Sequence, residues 1–280
     1  MLSNNEENIN TSINLGIIAG EGLLPSEIAS LHQKLGGKVF IAALEGEADI
    51  FPITSYSYKQ FPIGSVGALL EYFVENNVKE IIIIGGIKRP DLKSIKVDIV
   101  GSLLIAKILK EKFLGDDTVL KIISNFIESK GFKVISPKKL LELSNYDEFH
   151  KTNSTPSKQD KIDIELGVKT LKALSALDIG QSVIASDGYV LGIEAAEGTD
   201  NLIRRCELLR KNDKGGVLVK IAKSSQDMRL DLPTIGPDTI FYLAKHGYNG
   251  LAVEKSGIII IKPKEVISLL NKSDLFISYI

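Results

Sequence analysis

The segment "QDMRLD" carries two carboxylates and a guanidinium, Asp227, Arg229 and Asp231, in a loop that follows the apolar run "GVLVKIAK". Carboxylate oxygens are ligands that Mg²⁺ takes, and a guanidinium can bind a phosphate. Pro233 and Pro237 restrict the backbone just after these residues, and Gly236 lies between them. A surface loop in which Asp231 pairs with Arg229 would explain the same pattern, because an unpaired buried carboxylate is costly. Local chemistry therefore leaves both a metal site and an ion-paired loop open.

Two glycine turns in the first half of the chain follow apolar runs. The turn "AGEG" opens a predicted helix, where backbone N–H groups can receive a phosphate, although it lacks the G-x-G-x-x-G spacing. The turn "GGIKRPDL" adds a lysine and an arginine at the edge where open α/β sheets bind ligands. Ordinary connecting turns and a solvated basic loop are the alternatives. The residues that could bind a substrate here are Gly20, Gly22, Gly85, Gly86, Lys88 and Arg89.

A further group of oxygen ligands lies in "GIEAAEGTD", which contains Glu194, Glu197 and Asp200. Side chains alternate along a strand, so the two glutamates need not converge. Thr199 or Asp200 could equally be no more than the N-cap of the following helix. The pattern allows metal or water contacts without requiring them.

Nucleophilic catalysis by histidine or cysteine has no support in the sequence. His32, His150 and His246 show no metal-binding spacing, and neither a Walker A sequence nor a G-x-S-x-G turn is present. The single cysteine, Cys206, is expected in the core, and it gives neither an internal disulfide nor a structural zinc site. Hydrolysis would therefore depend on carboxylates and a metal ion.

The first half of the chain alternates apolar strands with helices. Strands are predicted at 13–19, 38–44 and 80–84, and another in "FKVISP" follows two further helices. This alternation predicts a parallel, Rossmann-like α/β sheet with right-handed crossovers. The chain then becomes polar between about 138 and 161. We therefore predict a Rossmann-like substrate-binding domain at 1–143 and a catalytic domain at 144–280.

The second half is predicted to be a mixed α/β domain with hairpins. The Asp-Gly pair in "VIASDGYVLGI" favours a type I′ turn between apolar runs. The run "GLAVEKSGIIII" predicts another hairpin or strand pair. Helices are predicted over "QDKIDIELGVKTLKALSALDIG", "TDNLIRRCELLRKNDKGG" and "IGPDTIFYLAKHG".

The composition is that of a globular protein, with 280 residues, a net charge of −1 and 44% hydrophobic residues. A net charge near zero argues against binding of nucleic acid. The polar N-terminal residues contain no apolar signal region, and no apolar run approaches the roughly 20 residues that span a bilayer. Together with the single cysteine, these features favour the cytoplasm, with any membrane contact made from the surface.

Six blocks resemble one family, in the same order and over nearly the whole chain. The blocks are "LGIIAGEGLLP", "GGIKRPDL", "PSKQDKIDIELG", "DIGQSVIASDGYVLGIEAAEGTD", "GGVLVKIAKSSQDMRLDLPTIGP" and "GLAVEKSGIIII". They are similar to the UDP-2,3-diacylglucosamine pyrophosphatases of lipid A biosynthesis, of the type unrelated to calcineurin-like metallophosphoesterases. The stretches "EAAEGTD" and "QDMRLDLPTIGP" are the specific ones.

The resemblance implies a hydrolase with two domains that acts on the pyrophosphate of UDP-2,3-diacylglucosamine. The products would be UMP and 2,3-diacylglucosamine 1-phosphate, also called lipid X, and the cofactor a divalent cation, Mg²⁺ or Mn²⁺. We expect a cytoplasmic homodimer that contacts the inner membrane surface peripherally and binds no nucleic acid.

The resemblance also assigns roles to residues of the specific blocks. The family's essential aspartate maps to Asp227, with Asp231 as the second choice, and its implied role is to bind metal and position the attacking water. Arg229 completes the predicted catalytic group and would offset the pyrophosphate charge together with Lys220 and with Lys88 or Arg89. The predicted metal ligands are Asp227, Glu194, Glu197 and Asp200, and further predicted substrate contacts are Thr199, Lys220, Gln226 and Thr234.

One departure from the family concerns the loop before the essential aspartate. Many relatives read "KPGQD" where this chain has "AKSSQD", so the rigidity of the loop can differ while the carboxylates remain. Two other functions stay open: a non-catalytic or regulatory nucleotide-binding module, and an interaction scaffold. The module would bind a nucleotide without turnover, and the scaffold would show neither.

Overall fold

The computed structural model describes residues 13–88, 95–111, 115–142, 152–177, 179–223, 227, 229–230, 232–255 and 257–280. The chain separates into two compact units. The first unit is Met1–Asn145 together with Arg229–Asp231, and the second is Tyr146–Met228 together with Leu232–Ile280. A short piece of the second half of the sequence therefore belongs to the first unit.

The first unit is a five-stranded parallel sheet with helices, in the strand order β3-β2-β1-β4-β5. Its strands are β1 (Leu15–Ala19), β2 (Val39–Leu44), β3 (Ser57–Phe61), β4 (Glu80–Ile84) and β5 (Lys133–Val134). Its helices are α1 (Leu24–Lys34), α2 (Val66–Glu75), α3 (Ile99–Ile108), α4 (Asp116–Glu128) and α5 (Lys138–Glu142), with a 3₁₀ turn at Phe51–Ile53. This topology confirms the Rossmann-like sheet predicted from the alternation of elements.

The central strands of this sheet could be predicted because both of their faces are buried. All five residues of β1 are buried, and strands covered on both sides read as continuous apolar runs. The edge strand β3 has the sequence "SYKQF" and is mostly exposed, so it lacks that signal. The sequence pattern therefore does not predict β3.

The second unit contains a mixed five-stranded sheet in the order β12-β10-β8-β6-β7 and a separate two-stranded sheet, β11-β9. Strands β8, β10 and β12 are parallel, and β6 is antiparallel to β7 and β8. The strands are β6 (Ser182–Ser186), β7 (Tyr189–Ile193), β8 (Val217–Lys220), β9 (Thr234–Ile235), β10 (Gly250–Val253), β11 (Ile259–Ile260) and β12 (Phe276–Tyr279). The helices are α6 (Lys158–Leu174), α7 (Thr199–Cys206), α8 (Pro237–Lys245) and α9 (Pro263–Lys272), with 3₁₀ turns at Ser175–Leu177 and Glu207–Leu209.

The predicted Asp-Gly hairpin is confirmed between β6 and β7. Asp187 and Gly188 have φ angles of 53° and 78°, the positive values that a type I′ turn requires. The buried carboxylate of Asp163 accepts hydrogen bonds from both turn amides, at 3.1 Å from the Asp187 nitrogen and 2.7 Å from the Gly188 nitrogen. Helix α6 therefore fixes the turn through one side chain.

Replacing Asp163 by Ala is expected to lower the free energy of unfolding by about 2–4 kcal/mol, because the two N–H groups of the turn lose a charged acceptor. Equilibrium urea unfolding followed by circular dichroism measures the change. Glu165→Ala on the same helix is the control, since the Glu165 carboxylate lies on the exposed face and pairs there with Lys169. Equal midpoints for the two variants would contradict this role of Asp163.

Two sequence predictions in the second unit are wrong. The run "GLAVEKSGIIII" does form two strands, β10 and β11, but they are not paired with each other: β10 pairs with β8 and β12, and β11 pairs with β9 in another sheet. The N-cap of α7 is Gly198, with no side-chain cap, and Thr199 and Asp200 lie in its first turn. Both hydroxyl and carboxylate are therefore available for tertiary contacts instead of capping.

Cys206 is fully buried, as expected, and burial raises the pKa of its thiol. Leu230 packs in the apolar core of the first unit, among side chains of its sheet and helices. No helix within the described ranges combines the length and the apolar run needed to cross a membrane.

Candidate functional site

The end of β8 holds a buried lysine that belongs to a chain of hydrogen bonds. Lys220 is only 6% exposed, and its Nζ donates to Thr199 Oγ1 at 2.8 Å. The Thr199 hydroxyl in turn donates to Glu194 Oε1 at 2.8 Å. Glu194 Oε2 accepts from the backbone nitrogen of Gln181 at 3.3 Å, and Ser182 Oγ lies 3.2 Å from Thr199 Oγ1. These hydrogen bonds thus join three predicted site residues, Lys220, Thr199 and Glu194, into one network.

The ammonium of Lys220 retains donors for a ligand. An ammonium carries three N–H groups, and within the described part of the chain Thr199 is the hydrogen-bond acceptor for one of them. Thr199 is also the first residue of α7, so an anion beside this ammonium would lie near the positive end of a helix. The arrangement suits a phosphate or another oxyanion.

Asp200 lies close to the same lysine from the first turn of α7. Its Oδ1 accepts a hydrogen bond from Thr239 Oγ1 at 3.2 Å. Burial raises the pKa of Asp200 above its ordinary value, although the Thr239 hydrogen bond and the Lys220 ammonium act to lower it, and Asp238 of α8 adds to the rise. The carboxylate is therefore held at the edge of the network, where a cation or a proton would stabilise it.

Glu197 does not join this network. Its Oε1 accepts from Arg205 Nε at 2.9 Å and from Nη2 at 2.7 Å, and its Oε2 accepts from the Ala195 nitrogen at 3.1 Å. Partial burial acts to raise the pKa of Glu197, but the Arg205 hydrogen bonds outweigh it and the pKa is lowered. A carboxylate already satisfied by a guanidinium and an amide is a poor candidate for a metal ligand.

The four carboxylates predicted as metal ligands do not form one cage. No group of three or more His, Cys, Asp and Glu side chains in the described residues is arranged to hold a metal ion. Glu194 and Glu197 bind separate partners, as their alternation along the chain allowed. The residues therefore do not fit a four-carboxylate site. Mg²⁺ is usually bound by one or two carboxylates together with substrate phosphates, so a metal role for Asp227 stays a prediction.

The loop "QDMRLD" divides between the two units. Asp227 is half-buried in the second unit, and Arg229 belongs to the first. Arg229 Nη1 donates to Glu128 Oε1 at 2.9 Å and to the Val134 carbonyl at 3.4 Å. Gln226 and Asp231 lie outside the described residues, so the predicted pair of Asp231 with Arg229 is not addressed by the structure.

The two glycine turns of the first unit meet each other. Glu21 N donates to the Gly86 carbonyl at 2.7 Å, and Gly86 N donates to the Glu21 carbonyl at 3.0 Å. A Cβ on Gly20 would lie 2.3 Å from Gly86 O, and Gly85 has a φ of 103°. These glycines are required for the close approach of two backbones, whatever they bind.

Gly20→Ala is expected to lower the free energy of unfolding by about 1–3 kcal/mol, because the new methyl group forces two packed turns apart. Gly86→Ala in the facing turn is the matched control, since its Cβ would be 3.6 Å from its nearest neighbour, an ordinary contact. Thermal unfolding compares the two. A control that is as unstable as Gly20→Ala would show that the destabilisation does not come from the clash at Gly20.

Carboxylates from the loop after β2 occupy backbone amides of these turns. Asp49 Oδ2 accepts from Gly22 N at 2.7 Å, and Glu47 Oε2 accepts from Lys88 N at 2.8 Å. A phosphate at these amides would have to displace both carboxylates. Phosphate binding by the Gly22 and Lys88 amides would therefore lose these two hydrogen bonds, and it stays a prediction. Arg89 lies outside the described residues.

Several contributors to the site were not predicted. Ser182, Gln181 and Thr239 contact predicted residues only after the sheet has formed, and Asp49 and Glu47 come from a loop that showed no motif. The remaining predicted residue, Thr234, lies in β9 and donates from Oγ1 to the Leu232 carbonyl at 3.0 Å. Nothing in sequence spacing alone signals these contacts.

The chain is a two-unit α/β protein, with a Rossmann-like parallel sheet in the first unit and a mixed sheet in the second. The buried lysine at the end of β8 suits an anionic ligand. Residues 14–143 match the family model described as the LpxI N-terminal domain, and residues 148–278 match the LpxI C-terminal domain. The chain belongs to the LpxI family.

A curated relative covers almost the same length. It is the protein named UDP-2,3-diacylglucosamine pyrophosphatase LpxI of Caulobacter vibrioides, which is 29% identical over 270 residues, 94% of this chain and 96% of that protein. The family expected from the six sequence blocks is thus supported over both halves of the chain.

Likenesses among solved structures are remote. An L-amino acid ligase from Bacillus licheniformis is 14% identical with a TM-score of 0.21, over 69% of this chain and 42% of that one. N5-carboxyaminoimidazole synthetase from Staphylococcus aureus, complexed with ADP, is 17% identical with a TM-score of 0.23, over 71% of this chain and 44% of that one. The chain spans less than half of each structure, and neither likeness bears on its function.

Proposed function

We propose that this protein hydrolyses the pyrophosphate of UDP-2,3-diacylglucosamine, releasing UMP and 2,3-diacylglucosamine 1-phosphate (lipid X), in lipid A biosynthesis. Membership of the LpxI family and the name of the Caulobacter relative support the substrate. The observation that carries the chemistry is the buried Lys220 ammonium, aligned by Thr199 and Glu194.

The second unit binds the pyrophosphate through Lys220. Charge develops on phosphate oxygens as a phosphorus–oxygen bond breaks, and a fixed cation in a water-poor site stabilises that charge strongly. Glu194 holds the Thr199 hydroxyl, and that hydroxyl holds the ammonium, so the cation needs little reorganisation during the reaction. Arg229, Lys88, Arg89, Gln226 and Thr234 are proposed as further substrate contacts.

Asp227 positions the attacking water in this proposal. Support comes from its place in the loop that follows β8, whose last residue is Lys220. A carboxylate there can accept a proton from water or hold a cation. Asp231 is the second proposed carboxylate, and Arg229 completes the proposed catalytic group.

The proposed cofactor is Mg²⁺ or Mn²⁺, which Asp227 would hold. Such a cation, when bound, supplies further positive charge to the leaving phosphate. The other proposed ligands are Glu194, which shares Thr199 with Lys220, Asp200, whose pKa the Lys220 ammonium acts to lower, and Glu197, which its pair with Arg205 disfavours.

Chelation is expected to reduce UMP release by roughly 10²-fold or more, because a cation at a developing phosphate charge contributes several kcal/mol. Activity is measured after EDTA treatment and again after addition of excess Mg²⁺ or Mn²⁺, either of which should restore it. Full turnover in EDTA would remove the divalent cation from the proposal and leave Lys220 as the main counter-charge.

We further propose that the protein acts in the cytoplasm as a homodimer and meets the inner membrane at its surface. The low cysteine content supports the compartment, and the two acyl chains of the proposed substrate support the membrane contact. Light scattering after size exclusion would measure the mass of the assembly; a monomer at all concentrations would contradict the dimer.

The decisive assay incubates the purified protein with UDP-2,3-diacylglucosamine and Mg²⁺ and identifies the products by mass spectrometry. UMP and lipid X in equal amounts are expected. Water labelled with ¹⁸O shows which phosphorus is attacked, because the label enters only one product. Nucleotide binding without any UMP would instead indicate a non-catalytic module, and neither binding nor turnover an interaction scaffold.

A further inference from the structure

Helix α3 of the first unit is apolar on its exposed side as well as on its buried side. Gly101, Leu104 and Ile108 are buried against the unit. On the other side Ile99 is 84% exposed and Leu103 is 52% exposed. Exposed apolar groups of this kind often mark an interaction surface. Within the described residues, the first unit leaves this face uncovered.

The exposed apolar residues form one line. Ile99, Leu103 and Ala106 recur at the three- and four-residue spacing that places side chains on the same helix face, and exposed Val97 precedes them. We call Val97, Ile99, Leu103 and Ala106 the α3 stripe. By contrast, the exposed side of α6 is charged, with residues such as Glu165 and Lys169. The α3 stripe thus differs from the exposed face of α6.

Lysines lie at both ends of the α3 stripe. Exposed Lys96 precedes it, and exposed Lys107 and Lys110 follow it. The Lys107 ammonium lies over the ring of Phe126, 5.1 Å from its centroid, which holds this charge beside the helix. Basic side chains that flank an apolar face are the arrangement of helices that lie in a lipid interface.

The segment 95–111 contains two acidic residues, Asp98 and Glu111. Asp98 accepts backbone hydrogen bonds from Gly67, Ala68 and Gly101, so its charge serves the starts of α2 and α3. Glu111, beyond the end of α3, is the other acidic residue of the segment 95–111. The segment therefore has three exposed lysines and two acidic residues, and the carboxylate of Asp98 is engaged by backbone amides, so its positive charge complements an anionic surface.

We infer that the α3 stripe and its lysines dock the protein on an anionic lipid bilayer, with the apolar residues at the level of the acyl chains and the ammonium groups at the phosphates. The inference rests on the proposed function, because a substrate with two acyl chains resides in such a bilayer. It adds the face by which the enzyme reaches that substrate. Each lysine near an anionic membrane surface raises the membrane affinity by about a factor of five.

Vesicle flotation with the full chain tests this docking. The protein is expected to float with vesicles of phosphatidylcholine and phosphatidylglycerol, and much less with phosphatidylcholine alone. The double variant Ile99→Ser with Leu103→Ser should bind the anionic vesicles roughly 10²-fold more weakly, because two apolar side chains no longer leave water. The triple variant Lys96→Gln, Lys107→Gln and Lys110→Gln should lose the preference for anionic lipid.

Two controls distinguish loss of docking from loss of structure or of surface apolarity in general. Leu208→Ser changes an exposed leucine of the second unit and should bind as the parent does. Thermal unfolding of each variant should match the parent, because the replaced side chains are exposed. Failure of the parent to bind anionic vesicles, or undiminished binding by the double variant, would overturn the docking surface.

Turnover of detergent-dispersed substrate tests the proposed function separately. The double variant should turn over this substrate like the parent. A raised KM there would assign the α3 stripe to the acyl chains of the substrate, and a change from dimer to monomer would assign it to a second copy; either result overturns the bilayer proposal. Vesicle binding by a protein without any turnover would leave the docking surface standing and remove the proposed function.

Discussion

Asp227→Asn is expected to reduce UMP release by roughly 10³-fold with the fold intact, since a positioned carboxylate that handles a proton contributes effects of that order. Asparagine keeps the size of the side chain and its ability to accept a hydrogen bond from the loop. It loses the negative charge that a metal ion or an attacking water needs. The substitution therefore tests the chemistry of the carboxylate and leaves the shape of the loop nearly unchanged.

The measurement is steady-state UMP release at saturating Mg²⁺. Asp213→Asn is the control, because Asp213 is an exposed aspartate of the same unit before β8. The residual activity of Asp227→Asn should not recover at high substrate concentration, because the lost interaction acts on kcat. Turnover within a few-fold of the parent would exclude Asp227 as the essential carboxylate, and Asp231 would then be the remaining candidate.

Lys220→Met is expected to have the second large effect, a fall in kcat/KM of roughly 10²–10³-fold, the range found when a preorganised donor to a developing oxyanion is removed. Methionine fills the buried space of the lysine stem without its charge. The hydrogen bond from Thr199 to Glu194 does not involve the ammonium directly, so the local structure should survive. Circular dichroism and thermal unfolding would verify that.

Two comparisons make the Lys220 result specific. Lys214→Met removes an exposed lysine from the loop before β8 and should leave turnover unchanged. Lys220→Arg keeps the charge but should not restore full activity, because a planar guanidinium cannot replace a compact ammonium in a buried site. If Lys220→Met were fully active, the pyrophosphate would have to be bound elsewhere.

The sequence predicts best those elements whose burial leaves a simple pattern. Strand β4 is found with its correct limits because its "EIIII" run is covered on both faces. The Asp187–Gly188 turn is found because few residues accept positive φ. Strand β12, with the short and mixed sequence "FISY", gives no such signal. The apolar run 258–261 shows that a strand is near but cannot say that its partner is β9.

The candidate site is predicted in its members and not in its connections. Lys220, Thr199 and Glu194 all belong to blocks chosen from the sequence, yet their hydrogen bonds depend on the pairing of β6 with β8, which brings residues 21 positions apart into contact. Glu197 is the same residue type as Glu194 and lies three positions later, but its carboxylate accepts hydrogen bonds from Arg205 instead of joining the network. Residue type can be read from sequence, whereas competition between neighbours cannot.

The membership of Arg229–Asp231 in the first unit has a consequence for how the gene could be divided. A polypeptide that stops at Asn145 would lack Leu230, and its core would hold a leucine-sized vacancy. It would also leave Glu128 without its guanidinium partner. No single cut in the gene therefore yields two complete halves, and exchange of the first half between relatives would have to carry a tripeptide from the second half with it.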